Sequence, residues 1–581
     1  MSRLKTPEDL DALKKKLDSE RRADRMCVTI CSGTGCLATR SQDVVAEFER
    51  QIAAKGLEGK VEIRRTGCWG LCERGPIVVI LPERTCYLGT KAKDVPEIVS
   101  ETLVAGRNVE RLLYKDLETG ERIARIDDIP FYKFQQRLLL EANTLIDPKR
   151  IEDYIAAGGY SALAKALFKM KPEGIIKEIE ESGLRGRGGG GFPTGWKWRS
   201  SAECDDDPKY VIVNADEGDP GAYMDRSILE GNPLSVLEGL IIGGFAIGAN
   251  EGFIYVRQEY PLAVENTELA IARAREYGLI GENILGSGFS FRITIKRGAG
   301  AFVSGESSAL MSVIEGKVGE PRPKYVHTAH KGLWDKPTVL NNVETWANVP
   351  LIINHGAGWF NKIGTEKSTG TKIFSLVGKI NNTGLVEVPM GIPMKRIIFD
   401  IGAGVPHGKK FKAVQTGGPS GGVLPESMID TPVDFDRLLE AGSMMGSGGM
   451  IVMDEDTCMV DTARYYTDFL GHESCGKCVP CREGLRQSLV VLNNITSGKG
   501  KDGDIELLEE LAEVMRVASL CALGQTAANP VLSTIAHFRD EYEAHIREGR
   551  CPARVCKDMI AFVIDEEKCI ACGLCAKSCP V

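Results

Sequence analysis

Residues 183–198 read GLRGRGGGGFPTGWKW. Glycine gives up more conformational freedom on folding than any other residue, so such a run stays a floppy linker unless something repays its ordering. A bound ligand can repay it. Successive backbone N–H groups in such a loop form an anion-binding concavity, and positions without side chains let a phosphate or a flat ring approach. A helix beginning just beyond would add its positive end. A lone G-x-G-x-x-G match is weak, but this run leads into Phe192, able to stack on a ring, and Lys197, able to meet an anion. Arg187, Gly186, Gly188 and Gly189 complete the candidate loop.

Two further stretches extend that reading. VIVNADEGDPG is a strand ending in Asn214, Asp216, Glu217 and Asp219. Acids and an amide at a strand mouth suit a flavin ring and ribose hydroxyls better than phosphate itself. LNNVET then offers Asn341, Asn342 and Thr345.

The chain has 581 residues, enough for three or more domains, with 43% apolar and 26% charged residues as in globular proteins. A net charge of −8 argues against nucleic acid as the main partner. The apolar stretch LEGLIIGGFAIGA is too short to span a bilayer, and the N-terminus is charged and helical rather than a signal sequence. These features predict a cytoplasmic protein without membrane insertion. The patterns predict an N-terminal helical arm over 1–24 and a small α/β domain over 25–105. A helical connector and an α/β core follow over 106–370, then a β-rich module over 371–435. A helical domain over 436–550 precedes a short Cys-rich segment over 551–581.

Eighteen cysteines fall largely into clusters, which in a cytosolic chain favours metal or redox sites over disulfides. Cys569, Cys572, Cys575 and Cys579 stand in C-x2-C-x2-C-x3-C-P, the bacterial ferredoxin spacing, in which the fourth cysteine ligates a second cluster. The chain stops two residues later, so a truncated ferredoxin domain is expected. Cys475, Cys478 and Cys481 with the remote Cys521 suit a [4Fe–4S] cluster better than zinc. Cys31, Cys36, Cys68 and Cys72, in two pairs after strands, can hold a [2Fe–2S] cluster, with structural zinc as the alternative. Cys458, His545, Cys551 and Cys556 form a weaker candidate zinc set, against which stand unrelated thiols. Cys27, Cys86 and Cys204 read as packing residues.

Together GLRGRGGGGFPTGWKW, NADEGDPGAYMDR, GAFVSGESSAL, KPTVLNNVETWAN and ESCGKCVPCREG resemble the flavin-carrying, NADH-oxidising subunit of respiratory complex I. With a thioredoxin-like [2Fe–2S] domain in front and a ferredoxin domain behind, the chain is similar to the diaphorase subunit of electron-bifurcating [FeFe]-hydrogenases and related formate dehydrogenase or transhydrogenase complexes. The resemblance implies a multidomain α/β and α+β protein whose β module is ubiquitin-like. It implies that FMN is held by Gly186, Arg187, Gly188, Lys197, Asn214, Asp216, Glu217, Asn341, Asn342 and Thr345, with Lys197 and Glu217 positioning the chemistry. Gly189, Phe192, Asp219, Phe302, Glu306, Ser307 and His327 would line the NAD(P) side. Three positions depart from the family pattern: Ser307 replaces the second Glu of GEE, Asp219 another Glu, and His327 an aromatic residue. All three lie on the nucleotide side.

The resulting expectation is hydride exchange between NAD(P)(H) and FMN, then single-electron transfer through iron–sulfur clusters. Bifurcation involving ferredoxin is expected by analogy. The implied partners are a small thioredoxin-like [2Fe–2S] subunit, a larger iron–sulfur catalytic subunit of hydrogenase or formate dehydrogenase type, and ferredoxin. A diaphorase feeding one acceptor, or a cluster-bearing scaffold with an inactive nucleotide site, are the alternatives.

Overall fold

The computed structural model describes residues 3–20, 25–323, 325–560 and 563–579. Residues 1, 2 and 21–24 of the expected arm, and 561–562 and 580–581 of the Cys-rich segment, lie outside the described residues. The arm contains helix α1 (Pro7–Glu20), which buries Leu10 and Leu17. Strands β1 (Met26–Cys31), β2 (Val61–Thr66), β3 (Val78–Leu81) and β4 (Thr85–Tyr87) form a sheet of order β2-β1-β3-β4, with helix α2 (Ser41–Ala54) between β1 and β2. β1 and β2 are parallel, as a helical crossover requires, and the other pairs are antiparallel.

The central domain carries the glycine run. Helix α3 (Thr194–Ala202) starts just beyond it, where the sequence predicts. Strands β5 (Tyr210–Ala215), β6 (Glu251–Val256), β7 (Arg292–Arg297) and β8 (Thr338–Asn342) form an all-parallel sheet of order β8-β5-β6-β7. β5, YVIVNA, is buried over nearly its whole length, as expected for a strand covered on both faces. The covering includes helices α4 (Pro233–Ile247), α5 (Ser307–Ile314) and α6 (Val343–His355). α4 is the apolar stretch noted above, and it is buried all round in the core. No helix among the described residues is long and apolar enough to cross a membrane.

The next module is a mixed sheet of β9 (Thr371–Gly378), β10 (Gly384–Pro389), β11 (Phe411–Thr416), β12 (Val423–Pro425) and β13 (Gly449–Asp454), in the order β10-β9-β13-β11-β12. The expected end at 435 is therefore too early. β13 lies at the centre of the sheet, pairing with β9 in parallel and β11 in antiparallel register. Helices α7 (Met459–Glu473), α8 (Val479–Thr496), α9 (Asp504–Ala518) and α10 (Asn529–Arg547) follow as a bundle.

A buried ion pair joins the central domain to the β module. Lys372 on β9 and Glu344 on α6 are 0% and 1% exposed, and the ammonium meets the carboxylate directly. Lys372 Nζ also donates to the Ile373 carbonyl (2.8 Å), and Ile373 N donates to Glu344 Oε1 (3.0 Å). Removing one partner of such a pair strands the other charge, at a cost of about 3–5 kcal/mol. Lys372→Met should lower stability to denaturant by that amount. The double variant Lys372→Met/Glu344→Leu should recover part of it, and equal losses in both variants would show that the charge pair is not the source.

Candidate active site and metal centres

The C-terminal ends of β5 and β8 stand side by side, with Asn214 paired to Asn342 in register. In parallel α/β sheets this edge is where ligands bind. The glycine loop closes over it, pinned by Gly186 N to Phe192 O (2.9 Å) and Thr194 N to Leu184 O (2.9 Å). At Gly191, φ is +58° and an added Cβ would stand 2.5 Å from the Phe435 ring, whereas one at Gly190 would meet nothing within 4 Å. The first glycine serves the fold; the second leaves room.

That room is two adjoining cavities of about 340 and 250 Å³, which share Gly188, Gly189, Gly190, Asn214, Gly305 and Asn342 as walls. One opens past Lys197, Ser307 and His327 to Phe192 and Trp196. The other runs past Asp216, Asp219 and Glu306 to Ala522 and Leu523, which follow Cys521 directly. Both side-chain atoms of Asn341 and both carboxylate oxygens of Asp216 are buried here without hydrogen-bond partners in the protein. Buried polar atoms left unpaired are costly, so a polar, ring-shaped guest such as FMN fits this donor and acceptor set. A larger cavity, of about 1230 Å³, opens near Lys209, Glu251 and Arg292 at the N-terminal edge of the same sheet. It holds none of the residues singled out in the sequence.

Burial moves the ionisable groups of the pocket toward neutral pH. Burial lowers the Lys197 ammonium to about 8, and its Nζ donates to the Leu340 carbonyl at 2.8 Å. Burial raises Asp216 to about 7, against the pull of Arg257. Asp219 is raised to about 6 by burial, with the Ser447 hydroxyl opposing. Glu217 lines the cavity, but its carboxylate accepts from Asp225 N and Arg226 N, both at 3.1 Å, and so holds its own turn.

Two expected flavin ligands lie elsewhere. Arg187 is fully buried behind the loop, its guanidinium donating to the carbonyls of Thr369, Thr371 and Arg185. Thr345, also fully buried, accepts from Arg187 N (2.8 Å). Both brace the loop from the side away from the cavity, because the backbone turns them inward. Sequence reasoning missed Trp196, Asp225 and Gly305. Trp196 was readable from its place beside Lys197. Its ring stands 5.2 Å from Phe192 and 5.5 Å from His327, making an aromatic mouth.

Several of the cysteine sets come together in space. The Cys31 thiol is raised well above its usual range by its neighbours Cys36 and Cys68 and by burial, and Cys68 Sγ is 3.4 Å from Cys72 Sγ. Cys481, buried at the head of α8, has its thiol raised to about 11, chiefly by burial, with Cys478, Cys521 and Cys475 all close enough to add repulsion. Cys569, Cys572, Cys575 and Cys579 are exposed, around the short helix Leu574–Ser578. The weaker set also assembles: the ligand atoms of Cys458, His545, Cys551 and Cys556 all lie within 4.8 Å of one another, and all four residues are buried. Cys458 Sγ is 3.8 Å from Cys556 Sγ and 3.5 Å from His545 Nε2. His545 Nδ1 is fixed by the Glu541 carbonyl at 2.7 Å. Cys27 and Cys86 are buried packing residues. Cys204 is not: it is partly exposed, with its Sγ 3.2 Å from His330 Nδ1.

Comparison with known proteins agrees with this arrangement. Residues 179–351 match the Nuo51 FMN-binding domain, and 461–545 the NADH-ubiquinone oxidoreductase-F iron-sulfur binding region. Residues 18–103 match the thioredoxin-like [2Fe-2S] ferredoxin, and 562–581 a 4Fe-4S binding domain. The chain is 54% identical over 449 residues to the HndC subunit of the NADP-reducing hydrogenase of Solidesulfovibrio fructosivorans, covering 77% of this chain and 91% of that one. It is 46% identical over 415 residues to an NADH-quinone oxidoreductase subunit of Rhizobium meliloti (strain 1021), covering 71% of this chain and 99% of the other. In structure it resembles a chain of NAD+-reducing [NiFe]-hydrogenase in the H2-reduced state, with TM-score 0.64 and 28% identity over 93% of this chain and 90% of that one.

Fold and pocket thus define an oxidoreductase subunit that binds FMN and iron–sulfur clusters. The chain belongs to the family of complex I 51 kDa-type FMN-binding subunits. It is an FMN- and iron–sulfur-dependent NAD(P)H dehydrogenase component of a multi-subunit oxidoreductase.

Proposed function

We propose that this chain takes electrons in pairs from a nicotinamide and returns them singly, to ferredoxin and to a second acceptor, within a cytosolic complex of hydrogenase or formate dehydrogenase type. A small [2Fe–2S] subunit and a larger iron–sulfur catalytic subunit complete that complex. The observation that carries the reading is the continuity of the pocket, which runs from the glycine loop to Ala522 and Leu523 beside Cys521. FMN, when bound, supplies both hydride and one-electron chemistry, which belong to the cofactor. The protein's part is position and charge. The loop N–H groups and Lys197 receive anionic groups, Asn214, Asp216, Asn341 and Asn342 hold the ring, and Phe192, Trp196 and His327 flank the nucleotide. Cys475, Cys478, Cys481 and Cys521 hold the adjoining [4Fe–4S] cluster. The purified complex should reduce ferredoxin only when a second, higher-potential acceptor is present. Ferredoxin reduction that needs no second acceptor would reduce the function to that of a simple diaphorase.

Dinucleotide choice follows from the same pocket. Ser307 is the first residue of α5 and lines the open cavity, while the Glu306 carboxylate is engaged in capping that helix through Ser308 N and Ala309 N (2.9 Å each). A neutral hydroxyl stands where the family resemblance expects a carboxylate. Two like charges about 4 Å apart repel by about 4 kcal/mol at an effective dielectric of 20, and each 1.4 kcal/mol is about tenfold in affinity. Losing that repulsion admits a 2′-phosphate, so the protein accepts NADP(H). Wild type should turn over NADPH, and Ser307→Glu should shift the ratio of kcat/KM values toward NADH by tenfold or more. Strict NADH selectivity in the wild type would contradict this.

Zinc is the metal that fits Cys458, His545, Cys551 and Cys556. With Zn–S bonds of about 2.3 Å a tetrahedral site places its sulfurs about 3.8 Å apart, matching the 3.8 Å between Cys458 and Cys556. The Glu541 carbonyl on His545 Nδ1 orients the ring as an outer-shell partner does. His545→Ala should lose one zinc per chain and loosen the segment after α10. Equal zinc in both proteins by elemental analysis would end the assignment.

A further inference from the structure

The cysteine loops of the thioredoxin-like domain are pressed onto the rest of the chain. A Cβ at Gly67 would stand 2.5 Å from the Gly231 Cα, and one at Gly70 would stand 2.7 Å from the Leu385 carbonyl oxygen. Gly67 N donates to the Asn143 carbonyl (3.0 Å), and Leu385 N to the Gly70 carbonyl (2.8 Å). Glu230 accepts from both the backbone N–H (2.9 Å) and the hydroxyl of Thr34.

Tyr223 enters this joint from the flavin side. It lies between Asp219 and Asp225, both of which line the deeper cavity. Its hydroxyl is buried and has no hydrogen-bond partner of ordinary geometry. The group it faces is the Cys72 sulfur. The side chain is held in place. Tyr223 N donates to Ser375 Oγ (3.1 Å), Met224 beside it is fully buried, and the Arg226 guanidinium lies 5.3 Å from the ring centroid. A buried phenol without an acceptor is costly, so this hydroxyl is poised for one. The thiol of Cys72 now donates to the Gly70 carbonyl at 3.3 Å. As a metal ligand it becomes a thiolate, loses that bond and turns into an acceptor. Its neighbour Cys68 already receives such a donor, Gly70 N at 3.3 Å.

We propose that the Tyr223 hydroxyl donates a hydrogen bond to the Cys72 thiolate and thereby raises the reduction potential of the [2Fe–2S] cluster. The inference rests on Cys31, Cys36, Cys68 and Cys72 being that cluster's ligands. Reduction adds negative charge that the sulfurs share, so a donor aimed at one of them favours the reduced form. Tyr223 is a positioning residue here: it acts on the cluster through Cys72. The turn that walls the flavin cavity therefore also sets how readily the [2Fe–2S] cluster accepts an electron.

The test is a potentiometric titration of the holoprotein followed by electron paramagnetic resonance, in wild type and Tyr223→Phe. The variant should keep its flavin and iron content and its [4Fe–4S] potentials. Its [2Fe–2S] midpoint should fall by about 59 mV, a tenfold change in the reduction equilibrium for one electron. An intact [2Fe–2S] signal with an unchanged midpoint would overturn the proposal alone. A wild type with no [2Fe–2S] signal would overturn the ligand assignment as well. Electron–nuclear double resonance of the wild type needs no variant. The reduced cluster should show a strongly coupled proton that exchanges in D2O beyond those of the backbone amides, and its absence would equally overturn the proposal.

Discussion

The flavin pocket depends on the buried contact between Lys372 and Glu344. Glu344 is the second residue of α6, which follows directly from Asn341 and Asn342. Asn342 caps that helix by accepting from Glu344 N (2.8 Å), and its amide nitrogen reaches Asp225. On the other side Lys372 sets β9 against Gly448, where an added Cβ would stand 2.9 Å from Nζ. One charge pair thus fixes both the helix that presents the asparagines and the sheet whose loop before β13, at Gly446 and Ser447, closes the deeper cavity. Excluded from water, the two charges hold each other far more firmly than a surface pair would.

Around that joint, polar groups divide into two kinds. Glu217, Arg187 and Thr345 are buried and fully engaged with the backbone, so they hold the loops in shape. Asn341 and Asp216 are buried and unengaged. The first kind stiffens the walls, and the second marks where a guest belongs. With Asp216 near 7, Asp219 near 6 and Lys197 near 8, small shifts in local charge change protonation inside the pocket. An incoming anion finds walls able to take up or release a proton.

Much of this was legible in the sequence because its chemistry is local. The glycine run, the strand ending in Asn214 and the C-x2-C spacings each specify a site within a dozen residues, and the glycines and Asn214 line one cavity. What escaped was set by long-range pairing. β13 joins β9 across more than seventy residues, so the β module outran its expected end. The direction of Arg187 and Thr345, into the protein rather than the cavity, depends on the carbonyls of Thr369 and Thr371 that meet them. Tyr223 carries no signal in its own neighbourhood, since the sulfur it faces comes from a different domain.

The buried anchor at Cys551 and Cys556 acts as a mooring post for the exposed ferredoxin-type cysteines. From Cys556 to Cys569 the chain can span at most about 45 Å, at about 3.5 Å per residue fully extended. That length defines a bounded volume around the helical bundle within which the last four cysteines lie. The placement of the last four cysteines is thus a question of reach, set by thirteen residues counted from a buried anchor.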